Sequence, residues 1–241
     1  MTEAPAPERP QPGAPQPSLL VEQLGFAWPS GHTALNHCSF SLPGPGLWML
    51  VGGNGSGKST LLRLIAGLLE PSRGRLQRPL KSALVFQNPD HQLLLPSCGS
   101  DIQLSLPAGL NAQERRTAVE DALASVGLAG FRQRPIHTLS GGQKQRLAIA
   151  GALASQARLL LLDEPTALLD ETSQREVLEL IHALCTRKQE PLTALWITHR
   201  LEELDWCDAA ALVERGSVGP WQRASTLRSR LNPLRPGRAE R

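Results

Sequence analysis

The sequence predicts an α/β protein: a mixed, mainly parallel sheet with helices, preceded by an antiparallel β region and interrupted by an inserted helical subdomain. Three observations support this fold class. A glycine-rich stretch at residues 52–60 lies between an apolar run and a segment with helical periodicity. Four consecutive leucines at 159–162 show no alternation, which is typical of a strand buried on both faces of a parallel sheet. Prolines and amphipathic helical patterns replace strand patterns over about residues 88–155.

The N-terminal part of the chain divides into a tail and a β region. Residues 1–17 contain six prolines and almost no apolar residue beyond alanine, so we expect a disordered tail. Apolar runs at 20–26 and 35–42, separated by a turn at 28–31, then predict antiparallel strands. Trp28 at this turn is either a packing residue or a flat surface on which an adenine base could stack.

Residues 52–60 match the phosphate-binding pattern G-x-x-x-x-G-K-[ST]. The strand pattern at 47–51 precedes them and the helical pattern starting at Leu61 follows, as a P-loop requires. Glycines let successive backbone N–H groups point at one anion, and the helix N-terminus adds a favourable field. Lys58 would reach the outer phosphates and the Ser59 hydroxyl would bind Mg²⁺. The predicted nucleotide-binding residues are Gly53, Asn54, Gly55, Ser56, Gly57, Lys58, Ser59 and Thr60. A chance glycine-rich turn would not explain the Lys-Ser pair and the flanking elements.

The region after this helix carries a second candidate anion site. A strand pattern at 81–86 ends at Gln87, and a helical pattern follows at 111–126. Ser140-Gly141-Gly142-Gln143 then leads directly into another helical pattern, so bare N–H groups and a hydroxyl are again presented at a helix N-terminus.

Acidic residues follow the leucine strand, and a histidine follows the next strand. Asp163 and Glu164 emerge where the strand at 158–162 ends, and paired carboxylates there require a compensating cation such as Mg²⁺. Asp163 would hold the metal and Glu164 would polarise an attacking water. After a helical pattern at 171–188, the strand pattern at 193–198 delivers His199 to the same carboxyl edge of the sheet, where ligands bind in open α/β folds.

Composition limits the partners and the compartment. Twenty-five basic residues against 22 acidic ones give no strong field, so no nucleic-acid partner is expected. Four cysteines lack metal-ligand spacing and are expected to be reduced thiols in a cytoplasmic protein. Neither a membrane-spanning run nor a signal-peptide pattern is apparent, so membrane association would require another subunit. Six arginines at 221–241 predict a solvated basic C-terminal tail.

Together these motifs resemble the ATP-binding cassette (ABC) ATPases over nearly all of a domain at 18–220. The matching segments are the Walker A motif at 52–60, the Q-loop glutamine Gln87, the LSGGQ signature at 139–143, the Walker B motif at 159–164, the D-loop aspartate Asp170 and the switch histidine His199; Trp28 falls at the family's adenine-stacking position. The resemblance implies two cassettes, identical or paralogous, that pair head to tail. Ser140, Gly142 and Gln143 of one would cap the γ-phosphate of ATP held by the other. It also implies catalytic roles for Glu164, His199 and Gln87, and Mg²⁺ ligation by Ser59, Gln87 and Asp163.

The stretch Phe86-Gln87-Asn88-Pro89-Asp90-His91-Gln92 narrows the resemblance. It is similar to a run found in energy-coupling factor importer ATPases, which power uptake of metal ions or vitamins. That subgroup implies integral membrane partner subunits and a peripheral location on the inner face of the cell membrane. A soluble ABC ATPase, such as one of iron–sulfur cluster assembly, is the alternative. A small-molecule P-loop kinase would leave the LSGGQ stretch without a purpose.

Overall fold

The computed structural model describes residues 17–231 and contains two sheets. The strands are β1 Leu19–Ala27, β2 Thr33–Leu42, β3 Gly46–Val51, β4 Arg73–Gln77, β5 Ser82–Val85, β6 Leu159–Asp163, β7 Thr193–Thr198, β8 Ala209–Glu214 and β9 Ser217–Val218. The helices are α1 Lys58–Ala66, α2 Cys98–Ser105, α3 Ala112–Ser125, α4 Gly141–Ala154, α5 Glu171–Thr186 and α6 Ala224–Leu231. The predicted disordered tail at 1–17 lies outside the described residues except for Pro17.

The larger sheet has the strand order β5-β6-β7-β3-β8-β9, and its first five strands are parallel. Because parallel strands end at one edge, the residues that follow β3, β6 and β7 meet there. Those segments begin with the phosphate loop, Glu164 and His199. The sheet therefore brings together three of the segments that the sequence singled out.

The leucine strand β6 is buried on both faces, as predicted. Leu160 and Leu162 pack in the cluster that includes the helical region and α5, whereas Leu159 and Leu161 pack in the cluster that includes α1 and the three-stranded sheet. All four leucines are fully buried. Packing on both faces fixes this strand, and with it the position of Asp163 at its carboxyl end.

The antiparallel β region is the three-stranded sheet β2-β1-β4. Its third strand is one that the sequence patterns did not predict. Arg73–Gln77 pair with β1 even though this strand is mostly exposed and charged. A short polar edge strand has no apolar alternation, so only pairing with β1 reveals it.

The inserted helical region holds three helices where the sequence predicts two. α3 begins after Asn111 and α4 after Ser140, and each has a reciprocal capping box. α2 was not predicted, because its eight residues include Gly99 and lack a clear apolar stripe. Gly99 is buried against Arg132, so a glycine that weakens helix propensity is required by packing.

The expectation of a solvated tail from Trp221 onwards is wrong for residues 221–231. Trp221 packs edge-on against Trp48 and Phe40 and donates its indole N–H to the Ser41 carbonyl at 2.9 Å. Leu227 of α6 is fully buried in the core. The arginines make this segment look like solvated chain, although Trp221 and Leu227 pack against the rest of the protein. Residues 232–241 of the predicted tail lie outside the described residues.

Two further properties concern the described residues. Cys38, Cys98, Cys185 and Cys207 are free thiols. Within residues 17–231, no helix combines the length and the apolar character needed to cross a bilayer.

Candidate nucleotide-binding and hydrolysis site

The phosphate loop is fixed by its glycines and by neighbouring backbone. Gly55 and Gly57 have φ of 77° and 101°, conformations that residues with a Cβ rarely adopt. A Cβ at Gly57 would collide with the Ala34 carbonyl of β2. Gly216, in the turn between β8 and β9, donates its N–H to the Ser56 carbonyl at 3.1 Å. The loop between β3 and α1 is therefore held from two sides in a shape that only this glycine pattern allows.

Lys58 is folded back onto the loop that precedes it. Its Nζ donates to the Gly52 and Gly53 carbonyls at 2.8 and 2.9 Å, and its side chain is buried. Burial lowers the pKa of Lys58 from its ordinary value, while the nearby Glu164 and Asp163 carboxylates oppose that shift. The ammonium is thus positioned by carbonyl oxygens that a phosphate could replace or supplement.

Ser59 and Asp163 face each other across the gap between α1 and β6. The Ser59 hydroxyl donates to Asp163 Oδ1 at 2.9 Å. Burial raises the pKa of Asp163, although the hydrogen bond from Ser59 opposes the rise. A hydroxyl and a partly desolvated carboxylate are hard oxygen donors, which fits a Mg²⁺ site shared with phosphates.

Glu164 and His199 form the second close pair. His199 Nδ1 lies 2.9 Å from Glu164 Oε2. Glu164 has a left-handed backbone with φ of 47°, and its N–H donates to the Ile197 carbonyl of β7 at 3.1 Å. A non-glycine residue in this conformation is strained and persists only where its surroundings hold it. Glu164 also lines a recess of ≈ 160 Å³ together with residues 54–60 of the phosphate loop and the start of α1.

Other predicted site residues are not brought into this recess. Gln87 is exposed two residues beyond β5. Trp28 packs edge-on against Phe26, with ring centroids 5.0 Å apart, and remains half-buried. Ser140, Gly142 and Gln143 are absent from the residues that line the recess.

The signature segment is ordered as a helix N-terminus. The Ser140 hydroxyl accepts from the Gln143 N–H at 3.2 Å, and Gln143 Oε1 accepts from the Ser140 N–H at 3.1 Å. The Gly141 and Gly142 N–H groups belong to the first turn of α4, where an α-helix offers no intrahelical acceptor. This end of α4 therefore presents donors to something outside the helix.

Asp170 caps α5 and stands beside the signature segment. Its carboxylate accepts from the Ser173 N–H and the Ser173 hydroxyl, each at 2.9 Å. The hydrogen bond from the Ser173 N–H, together with that from its hydroxyl, lowers the pKa of Asp170. A Cβ at Gly142 would lie 2.5 Å from Ser173 Oγ, so the signature glycine and the cap of α5 are packed against each other.

Sequence reasoning missed several supporting residues. Lys144 Nζ lies 2.7 Å from Asp90 Oδ1, and the buried Gln145 donates to the Phe86 carbonyl at 3.2 Å. These two contacts attach α4 to the segment around Gln87. Buried Glu203 accepts from Thr166 and Trp196. A Lys-Gln pair in a helix and an acidic Glu-Glu run resemble ordinary surface sequence, and no local signal distinguishes them.

The fold and these paired side chains define a P-loop ATPase. A family model described as "ABC transporter" matches residues 35–167, which is more than half of the chain. The chain belongs to the ABC transporter family, as an ATPase of that family, and the resemblance inferred from the motifs is confirmed.

Relatives agree with this assignment. The chain is 47% identical over 195 residues to ABC transporter I family member 10 of Arabidopsis thaliana, covering 80% of this chain and 72% of that protein. It is 40% identical over 188 residues to the energy-coupling factor transporter ATP-binding protein EcfA1 of Streptococcus pneumoniae, covering 72% and 68%. The solved structure of cbiO1 from Clostridium perfringens, described as part of the ABC transporter complex cbiONQ, superimposes with a TM-score of 0.80 at 31% identity, covering 91% and 95%.

Proposed function

We propose that this chain is the ATP-hydrolysing subunit of an energy-coupling factor type importer for a metal ion or vitamin. Two cassettes would close head to tail on ATP and drive integral membrane subunits from the cytoplasmic face. The pairing of two cassettes rests on one observation. The phosphate loop lines one side of the recess, whereas the donors of Ser140–Gln143 are not among its lining residues. The relatives named for energy-coupling factor and cbiONQ transport support the importer class over an iron–sulfur assembly ATPase.

The ATP phosphates would lie on the loop at 53–60, with Lys58 beside the outer phosphates. Stabilisation of phosphoryl transfer comes mainly from positioning and from donors aimed at the developing charge. The signature donors of the partner cassette would supply the side that one chain leaves open. Trp28 would provide the adenine surface, since its ring is already fixed edge-on by Phe26.

The donor set also fits Mg²⁺. Ser59 and Asp163 would hold the ion, and Gln87 would join them if its loop moves towards the recess. Mg²⁺ neutralises charge on the phosphate oxygens when it is bound. Residues 17–231 contain no cluster of three His, Cys, Asp or Glu side chains suited to a metal, which agrees with an ion held partly by phosphates.

Glu164 would accept a proton from the attacking water. A carboxylate that acts as a base only accepts hydrogen bonds, so in this role His199 Nδ1 would be the donor in the 2.9 Å contact with Glu164 Oε2. The other carboxylate oxygen is left for water. His199 would thereby fix the orientation of the base, and its second ring nitrogen would be left for a phosphate oxygen.

Glu164→Gln tests this assignment. The glutamine keeps the shape but removes the proton acceptor, so kcat should fall by about 10²–10⁴-fold while ATP affinity is retained. ATP should also hold the variant as a dimer in size-exclusion chromatography with light scattering. Glu171→Gln, at an exposed position that begins α5, is the matched control and should hydrolyse ATP normally. Hydrolysis at the wild-type rate by Glu164→Gln would contradict the role of Glu164, and a monomer under ATP would contradict the pairing.

Purification from membranes tests the transport role separately. We expect tagged chain extracted in mild detergent to carry integral membrane subunits and, if the cassettes differ, a paralogous ATPase. Recovery of soluble assembly proteins alone would contradict transport and leave the ATPase assignment intact.

A further inference from the structure

Glu203 is a buried acid that the hydrolysis scheme does not use. It lies in the 3₁₀ segment Leu201–Trp206 that follows β7, and its exposure is 2%. Its carboxylate accepts hydrogen bonds from the Thr166 hydroxyl and, at 3.1 Å, from the Trp196 indole N–H. No ion pair within residues 17–231 includes Glu203.

A buried carboxylate without a cation is costly, and an apolar side chain at this position would be cheaper for stability. The residues it joins indicate what the carboxylate contributes. Thr166 lies two residues after Glu164, and Trp196 lies three residues before His199. Glu203 therefore connects the segment that carries the base to the strand that carries the histidine.

Glu164 needs such support because its backbone is strained. Beyond the ladder that pairs β6 with β7, two other contacts join these segments: the Glu164 N–H to the Ile197 carbonyl, and the Glu164 carboxylate to His199. The second lies at the exposed edge, where the His199 side chain is 55% exposed. The link through Glu203 is the fully buried one, and both of its donors are at most 1% exposed.

We propose that Glu203 is a positioning residue for ATP hydrolysis: its carboxylate ties Thr166 to Trp196 and so fixes the Glu164–His199 pair above the phosphate loop. The inference rests on the proposed role of Glu164 as the base. Glu203 is fully buried and is not among the residues that line the recess formed by Glu164 and residues 54–60. Its loss should therefore change turnover and leave ATP binding unchanged.

Two matched pairs of variants test the link in the full-length protein. Thr166→Val removes the hydroxyl and nearly keeps the shape, whereas Thr166→Ser keeps the hydroxyl. Glu203→Leu removes both acceptors, whereas Glu203→Gln can accept from Trp196 and donate to the Thr166 oxygen, because a hydroxyl both donates and accepts. We expect Thr166→Val and Glu203→Leu to lower kcat about ten- to a hundred-fold with KM for ATP changed less than about twofold. The Ser and Gln variants should stay within about threefold of the wild-type kcat.

All rates are measured well below the lowest melting temperature of the set, with circular dichroism as a check of folding. Wild-type kcat in Thr166→Val would overturn the proposal, as would equal losses in kcat and ATP affinity. If Glu203→Leu fails to fold, the two Thr166 variants still decide. In the double variant Thr166→Val/Glu203→Leu, the loss in kcat should equal the larger of the two single-variant losses. A loss equal to the product of the two single-variant losses would show that the residues act independently and would overturn the proposal. Glu164→Gln measured in parallel separates failure of this link from failure of the base assignment.

Discussion

Replacing Gly142 by alanine should destabilise the protein through one specific contact. The added Cβ would lie 2.5 Å from Ser173 Oγ and 2.7 Å from Ser173 Cβ, closer than a packed interior tolerates. Ser173 cannot turn away freely, because its N–H and hydroxyl both bind the Asp170 carboxylate. Either α4 shifts away from α5, or the cap of α5 is lost.

The neighbouring glycine provides the reference for the magnitude. A Cβ at Gly141 would first meet the end of the Leu169 side chain at 3.3 Å, a flexible group that can move. Glycine to alanine in a helix gains about 0.5–1 kcal/mol from backbone propensity at either position. Overpacking at residue 142 costs about 1–3 kcal/mol. We therefore expect Gly142→Ala to be less stable than Gly141→Ala by about 1–3 kcal/mol.

Thermal unfolding of the nucleotide-free proteins measures this difference. For a domain of this size the gap corresponds to a melting temperature about 2–12 °C lower for Gly142→Ala. Gly142→Ala combined with Ser173→Gly should be more stable than the sum of the two single effects, because the second substitution removes the clash. Equal melting temperatures for the two alanine variants, or additive effects in the double variant, would refute the packing argument.

Two further variants test the electrostatics of the site and of the helical region. Because burial raises the folded-state pKa of Asp163 above its unfolded value of about 3.9, its ionisation at neutral pH costs stability that is absent at low pH. Asp163→Asn, which still accepts from Ser59, should raise the melting temperature at pH 7 in EDTA, with a gain that shrinks as the pH falls towards 4; a lower melting temperature at pH 7 would contradict the shift. Lys144→Met removes the 2.7 Å contact with the largely exposed Asp90, so the free energy of unfolding should fall by less than about 1 kcal/mol at low ionic strength and by less in high salt. A larger loss would mean that this pair holds α4 to the segment around Gln87 more strongly than surface ion pairs do.

Segments whose chemistry is local were predictable from the sequence. The glycine pattern that ends in Lys58 and Ser59 indicates a phosphate loop because it lies between a strand pattern and a helical pattern. Ser140 and Gln143 cap α4 through contacts between residues only three positions apart. The predicted strand at 193–198 coincides with β7. By contrast the close packing of Gly99 in α2 involves Arg132, and β4 depends on pairing with β1. Those partners are distant in the chain, so no window of sequence contains the cause.

The candidate site divides in the same way. The sequence by itself determined which groups can meet a triphosphate, because residue type and spacing decide which donors and acids follow each strand. Only the tertiary structure decided which of them touch: Ser59 with Asp163, Glu164 with His199, and Glu203 between Thr166 and Trp196. These contacts join residues 35–104 positions apart or depend on burial, and burial is a property of the assembled core. The Glu202-Glu203 pair therefore looks like surface sequence, although Glu203 is buried in the folded protein.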